Sequence, residues 1–355
     1  MNLIVCADLH LEEKEKSYSF SVLKEIIDLC KENDCQALLL AGDIFDSLKD
    51  LKNLRTEFCN IIDTLPASCS VYFLPGNHEL PPQNRENLEN YNFGRAKLLA
   101  KEPWSFLELD KDIELITVPF QYNHLDYRNW DIPKKNKPLR ILLAHGTVEG
   151  TYTGPGENDD IFLEEDLFLF HQINIAFIGH IHRQQDIKKE KYRIMYPGSA
   201  RVSRKGEEGK RNVLLCNINN GIPVITPLYL KSAGEYRVIP VFAKPNGNLS
   251  PIIEKEFSSL DWLHLELTGF VEEQPPVIAA LEKHKIELEK KYRKVTVDND
   301  KLEVLAGVSS HPLALSFIKK WEEAANAYKD EEEGVYEQAR IKGLLVLKEI
   351  LEKRK

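Results

Sequence analysis

The 355-residue sequence has no apolar run approaching the roughly 20 residues that span a bilayer. Its longest candidates are short, such as Ala37–Ala41. No membrane-spanning role is therefore expected. The N-terminus, Met1-Asn2-Leu3-Ile4-Val5, lacks a basic region and a small-residue cleavage site, so no signal peptide is expected either. None of the six cysteines (Cys6, Cys30, Cys35, Cys59, Cys69 and Cys216) forms a CxxC pair, and most sit inside apolar runs. They read as reduced, mostly buried thiols of a cytoplasmic protein. Positive charge is also in short supply: 47 Lys and Arg against 56 Asp and Glu, a net charge of −9. One broad basic face for a polyanion is excluded. A local basic patch, or a polyanion held through bound metal ions, is not. Internal repeats and low-complexity segments are absent, and 43% hydrophobic with 29% charged residues is a globular balance.

In the first 180 residues, short apolar runs end in polar clusters and alternate with helical spacing. Leu3–Ala7, Ala37–Ala41, Val71–Leu74, Leu139–Ala144 and Ile173–Ile178 read as buried strands. Phe20, Leu23, Ile26, Ile27 and Cys30 share a helix face, and a second helix is expected near Leu54–Ile62. Leu80–Glu108 reads as loop plus a short helix, and Gly146–Asp160, with Gly154-Pro155-Gly156, as a loop. Asn219-Asn220-Gly221 predicts a hairpin between Val213–Ile218 and Pro223–Ile225. After a turn-rich linker at Pro245–Pro251, a β-α-β unit is expected: Leu260–Leu267, Pro276–Lys291 and Lys294–Val297. Helices then follow over Leu313–Tyr328 and Val335–Glu352, parted by the acidic stretch Asp330–Glu333. The expected fold class is α/β.

Five motifs lie at strand ends, where α/β sheets build ligand sites. They are Asp8-Leu9-His10, Gly42-Asp43, Gly76-Asn77-His78-Glu79, His145-Gly146 and Gly179-His180-Ile181-His182. Asp8, His10, Asp43, Asn77, His145, His180 and His182 make seven ligands of types that suit Mn²⁺, Fe or Zn better than Ca²⁺. Seven ligands are too many for one open metal but suit two metals about 3.5–4 Å apart that share a carboxylate. Asp43, between the two groups in chain order, is the bridging candidate. Two such metals activate a water and clamp a phosphate's oxygens. His78 is surplus to the ligand count, free to orient the phosphate or protonate the leaving alkoxide. Glycines 42, 76 and 179 are expected where the backbone turns sharply into the site. His124, His171, His264, His284 and His311 lack such context and read as structural or surface residues.

This ordered set resembles the calcineurin-like metallophosphoesterase superfamily over roughly residues 1–200. The resemblance implies a four-layer α/β/β/α sandwich with a di-metal centre. It places Asp8, His10, Asp43 and His182 on one metal and Asp43, Asn77, His145 and His180 on the other, with His78 as the catalytic histidine. Asp8-Leu9-His10-Leu11, Ala41-Gly42-Asp43-Ile44-Phe45-Asp46 and Tyr196-Pro197-Gly198-Ser199 look like the SbcD branch, the "meiotic recombination eleven" type of nuclease subunit. Two positions depart from that pattern, Glu12 for the usual Gly and Glu79 for the usual Asp. Asp46 stands where some members place a second histidine.

The branch implies a Mn²⁺-dependent 3′–5′ DNA exonuclease and single-strand or hairpin endonuclease in DNA end processing and repair. It implies DNA and an SbcC-type coiled-coil ATPase as partners, and a homodimer is left open. The layout it implies is a nuclease domain over 1–235, a small α+β capping, DNA-selecting domain over 236–305, and C-terminal helices over 306–355. The rival expectation is a phosphodiesterase or phosphatase of the same superfamily acting on a small nucleotide or phosphoprotein. Between Arg183 and Arg211 stand ten Lys or Arg against four acids. Basic side chains beside a metal site guide phosphates to it, so Arg183, Arg201, Arg204 and Lys205 are the candidate DNA contacts. An ordinary solvated hairpin is the plainer reading. Leu313, Phe317, Ile318 and Trp321, and Ile341, Leu344, Leu345, Leu347 and Leu351, form terminal stripes. They either pack on the chain's own core or dock a partner coiled coil.

Overall fold

The computed structural model describes residues 1–80, 87–122, 126–151, 163–243, 248–250, 252, 256–271, 273–304, 311–325 and 333–353. His124, Gly154-Pro155-Gly156, most of the Pro245–Pro251 stretch, Asp330 to Glu332 and the side chain of Ile341 lie outside the described residues. The chain divides into two compact units, Met1–Glu235 and Tyr236–Lys355.

The first unit is an α/β/β/α sandwich, built because its strands are apolar on both faces. One sheet holds β1 (Asn2–Cys6), β2 (Ala37–Ala41), β3 (Ser70–Leu74) and β4 (Ala96–Leu98) in parallel. The other holds β5 (Ser105–Asp110), β6 (Ile113–Val118), β7 (Leu139–His145), β8 (Ile175–Gly179), β9 (Gln185–Lys188) and β10 (Arg193–Tyr196) in the order β5-β6-β7-β8-β10-β9. Alternate residues decide which layer each side chain fills. Leu3, Val5 and Leu39 meet Ile141, Leu143, Ile175 and Phe177 between the sheets. Ile4, Cys6, Leu38 and Leu40 face α1 (Lys16–Glu32) and α2 (Leu48–Ile62) on one outer side. Leu142, Ala144, Ala176 and Ile178 face Tyr127, Trp130 and the short α3 (Asp166–Phe170) on the other. After β11 (Gly209–Lys210), the strands β12 (Asn212–Asn219) and β13 (Ile222–Tyr229) join the first sheet antiparallel beside β1. Their turn places Asn220 and Gly221 at φ 51° and 75°, as a tight hairpin requires.

Three strands break the expected text. β4 and β5 occupy part of the stretch expected to be loop, and β6 was not anticipated. Their charged residues disguise them: Glu108 is half of a cross-strand register, and Glu114 is buried against Arg140 at 2.6 Å. The six cysteines are free; Cys59 is half-buried and the others are buried.

The second unit pairs β14 (Glu235–Ala243), β15 (Trp262–Val271) and β16 (Lys294–Val304) in parallel, with α4 (Gln274–Glu289) crossing between the last two. Val241, Leu263, Leu265, Leu267, Val277 and Leu281 form its core. The terminal helices α5 (Pro312–Ala325) and α6 (Glu333–Glu352) build a separate cluster around Ala314 and Leu344, which Phe317 and Ile318 complete. Gly343 gives the Phe317 ring room, since a Cβ there would lie 2.3 Å from it. Leu313, Leu315, Val346 and Ile350 are exposed. Among the described residues no helix is long and apolar enough to cross a membrane.

Candidate metal centre

All seven expected ligands stand at the C-terminal ends of β1, β2, β3, β7 and β8, His145 as the last residue of β7 and the others in the loops that follow the strands. The loops after β1 and β2 run side by side: the Asp8 N–H donates to the Gly42 carbonyl at 3.0 Å and the His10 N–H to the Asp43 carbonyl at 2.9 Å. The carboxylate of Asp8 accepts the His180 N–H at 3.0 Å, and His145 Nδ1 donates to the Ala41 carbonyl at 2.8 Å. These bonds draw the two sheets together at their ends. Four of the ligands, Asp8, His10, Asp43 and His180, have positive φ. Such backbone is uncommon outside glycine and clusters at functional sites. The glycines serve close approach more than turning. Gly42 alone of the three has positive φ, at 87°, while a Cβ at Gly179 would lie 2.0 Å from the Ala41 carbonyl oxygen and one at Gly76 2.2 Å from Asp43 Oδ1.

Among the described residues three overlapping groups could hold an ion: Asp8/His10/His182, Asp43/His145/His180, and His10/Asp46/His78, which shares His10 with the first. In the first, His10 Nε2 and His182 Nε2 face each other at 3.1 Å. The other nitrogen of each ring is turned to a carboxylate: His10 Nδ1 lies 3.2 Å from Asp46 Oδ1, and His182 Nδ1 bonds Glu207 Oε1. Glu207 accepts the Nδ1 proton of His182, which leaves the Nε2 lone pair of that ring facing His10 Nε2, while His10 Nδ1 lies near Asp46 without a hydrogen bond to it. A cation between the two Nε2 atoms satisfies both, which is how histidine ligands are oriented by their outer partners. In the second group His145 Nε2 lies 3.1 Å from Asn77 Oδ1 and 3.4 Å from Asp43 Oδ2, and His180 Nδ1 lies 3.1 Å from the same Asn77 oxygen. Asn77 thus joins the second group. The residues present fit two metal ions.

Electrostatics agree. Burial, reinforced by neighbouring imidazoles, pushes His10 and His180 down to about 3, so both rings are neutral ligands. Burial opposes the charge of Asp43, yet His145, His78 and His10 hold it well below the usual carboxylate range. Burial also opposes protonation of His145, but Asp43 and Asp8 outweigh it and push the ring up to about 9. Without metal, a proton takes the cation's place. Burial pushes Asp8 up to about 6, with Asp43 adding to it.

His78 is absent from the first two groups and belongs to the third, with His10 and Asp46. Its Nδ1 is bonded to the Asp46 carbonyl, and its Nε2 lies 3.9 Å from Asp43 Oδ2. Its own N–H fixes Asp43 by donating to Oδ1 at 2.9 Å.

The candidate DNA contacts separate. Arg201 is wholly buried, so its expected DNA contact is corrected. Its guanidinium donates to the carbonyls of Leu9 and His10 and pairs with Glu12 and Glu15, each at 2.8 Å. The departure at Glu12 is the partner that this buried cation needs. Arg183, Arg204 and Lys205 instead line a cleft of about 470 Å³ next to His182. The departure at Glu79 is a brace: its buried carboxylate accepts the N–H groups of Asp43 (3.1 Å), Phe45 (2.8 Å) and Gly76 (2.8 Å). Burial, and Asp43 beside it, push that carboxyl up to about 7. Asp46, Glu79 and Glu207 were not anticipated as supports. A carboxylate three residues after Asp43 was the one available hint. Of the other histidines, His171 is buried and bonded to the Tyr127 carbonyl, His264 is buried beside Thr296, and His284 is exposed.

The sequence profile of the calcineurin-like phosphoesterase family matches residues 1–184. Among curated relatives, an uncharacterised metallophosphoesterase, YhaO of Bacillus subtilis, is 24% identical over 62% of this chain and 58% of its own length. The chain thus spans about three fifths of that relative. The 3′,5′-cyclic adenosine monophosphate phosphodiesterase CpdA of Haemophilus influenzae is 26% identical over 49% of this chain and 64% of its own. The DNA double-strand break repair protein Mre11 of Nanoarchaeum equitans is 22% identical over 82% of this chain and 91% of its own.

Proposed function

The chain belongs to the calcineurin-like phosphoesterase family and is a metal-dependent hydrolase of phosphoesters; we propose that the ester it cleaves is the phosphodiester of DNA, as a nuclease of the SbcD type. The observation that carries this reading is the reach of the similarity. The likeness to Mre11 takes in 82% of the chain, more than Met1–Glu235 supplies, whereas the likeness to CpdA takes in 49%. The likeness to a DNA-repair protein therefore extends into the second unit, which is proposed to cap the site and select DNA. Manganese is the proposed metal, DNA the proposed substrate, and an SbcC-type ATPase the proposed partner. The exposed Leu313, Leu315, Val346 and Ile350 of the terminal helices are the surface offered to its coiled coil.

Two bound ions supply an activated water and the charge that a transferring phosphoryl group needs. The chain's own residues do the rest. Asp43, braced by the N–H of His78, would be the carboxylate shared by the two ions and would hold them in register. Glu207 holds the ring of His182 by its Nδ1, and Asp46 lies beside Nδ1 of His10. With the Nδ1–H of His78 committed to the Asp46 carbonyl, Nε2 is the ring nitrogen left to take up a proton from the site and pass it to the leaving oxygen.

The test is digestion of end-labelled duplex and single-stranded DNA in Mn²⁺, with Asp43→Ala and His78→Ala alongside. We expect a product ladder from the wild type alone. The His78 variant should keep its metal and lose about 10²–10⁴ in rate. Turnover of a cyclic nucleotide with no DNA cleavage would move the substrate to a small diester.

A further inference from the structure

One wall of the cleft beside His182 is fastened to the ring of that metal ligand by a carboxylate, while Arg211 reaches the His182 carbonyl at 3.4 Å. Glu207 is 8% exposed at its side chain. Its Oε1 bonds His182 Nδ1, while its Oε2 accepts the N–H groups of Ser203 at 2.7 Å and Arg204 at 2.9 Å. Arg211 ties down the far end of the same turn, donating to the carbonyls of Glu207 at 2.8 Å and Glu208 at 2.6 Å. His182, the turn and the cations Arg183, Arg204, Lys205 and Lys210 all border the cleft of about 470 Å³. Arg204 borders the same cleft as His182, and no carboxylate pairs with it among the described residues. It therefore shares a cleft with a metal ligand.

We propose that Glu207 is a positioning residue with two linked effects: it fixes His182 in the tautomer that presents Nε2, and it fixes the Ser203–Glu207 turn so that Arg204 meets a phosphate flanking the one being cleaved. The ligand class is a strand with consecutive phosphodiesters. The proposal rests on the phosphodiesterase reading and goes beyond it. A carboxylate accepts at both oxygens, so it serves His182 and the turn together. Glutamine has one accepting oxygen and one donating nitrogen. In Glu207→Gln, therefore, either the ring proton of His182 or the two backbone N–H groups must lose an acceptor.

Three measurements test this on the full chain. The first titrates Mn²⁺ into metal-free protein by calorimetry. Glu207→Ala should weaken one of two binding events by about 10–100-fold and leave the other. The second follows the ring ¹⁵N signals of metal-free protein, where the wild type should show His182 protonated at Nδ1 and Glu207→Ala a mixture of tautomers. The third compares a single-stranded oligonucleotide with bis(p-nitrophenyl) phosphate, a diester without neighbours. Arg204→Ala should retain both metal-binding events. Its kcat/KM should fall about tenfold further on the oligonucleotide than on the small diester, chiefly through KM. Wild-type metal affinity together with a wild-type substrate ratio in Glu207→Gln would overturn the proposal. If the wild type cleaved no diester at all, the phosphodiesterase reading would fail, while the titration and ring signals would still decide the role of Glu207. Should Glu207→Ala not fold, Glu207→Gln and Arg204→Ala carry the comparison.

Discussion

Arg201 carries a permanent charge with no exposed surface. Its guanidinium satisfies two carbonyls of the loop that bears Asp8 and His10, and it joins that loop to Glu12 and Glu15. Removing one side of a buried ion pair leaves carboxylates and carbonyls without donors, on the order of 3–5 kcal/mol. Arg201→Ala should therefore lower the urea midpoint of the metal-free chain by that measure, before any substrate is added. A variant with wild-type stability and a defect confined to DNA would return Arg201 to the surface role first expected of it. The residue-scale lesson lies in this contrast. The metal ligands are legible because each stands in a short motif at a strand end. Arg201 is not, because its partners lie more than 180 residues upstream and a one-dimensional charge count treats buried and exposed arginines alike. Glu207 was hidden for the same reason. It follows His182 by 25 residues, inside a segment whose basic excess drew the attention.

At the scale of elements, the site depends on two sheets meeting at their ends. β2 and β8 approach so closely at Gly179 that a Cβ would lie 2.0 Å from the Ala41 carbonyl oxygen and 2.7 Å from His145 Nδ1. Neither neighbour can yield without moving a strand or a ligand. Gly150 offers the opposite case: its φ is +76°, and a Cβ there meets nothing within 4 Å. Gly150→Ala should cost about 1–2 kcal/mol of backbone strain and leave Mn²⁺ stoichiometry intact. Gly179→Ala should cost at the top of the about 1–3 kcal/mol range of overpacking, and it should lose a metal. Chemical unfolding and metal analysis of the two variants decide this. Equal metal content would mean that the strand ends tolerate separation. The apolar strands β1, β2, β3, β7 and β8 were legible as runs of Val, Ile and Leu. β5 and β6 were not, because they alternate or bury acids. Glu114 becomes a strand residue only through Arg140, Asn136 and Lys137, which the fold supplies.

For the whole molecule, the described ligands all belong to Met1–Glu235, while Tyr236–Lys355 has a core of its own around Val241, Leu265 and Leu281. Metal binding is therefore folding energy for one unit and not for the other. Ions at 100 times their dissociation constant add about 2.7 kcal/mol per site. For a unit of this size each kcal/mol moves the midpoint by about 2–4 °C. Calorimetry of the full chain with Mn²⁺ and with chelator should thus move one transition by about 5–10 °C per bound ion and hold the other in place. The moving transition should be the one that Gly179→Ala and Arg201→Ala also lower. The C-terminal unit should then unfold independently of the metals, as the proposed capping role requires. A second transition that followed the metal by the same amount would instead make the two units one cooperative body, and the division between catalysis and substrate selection would have to be redrawn.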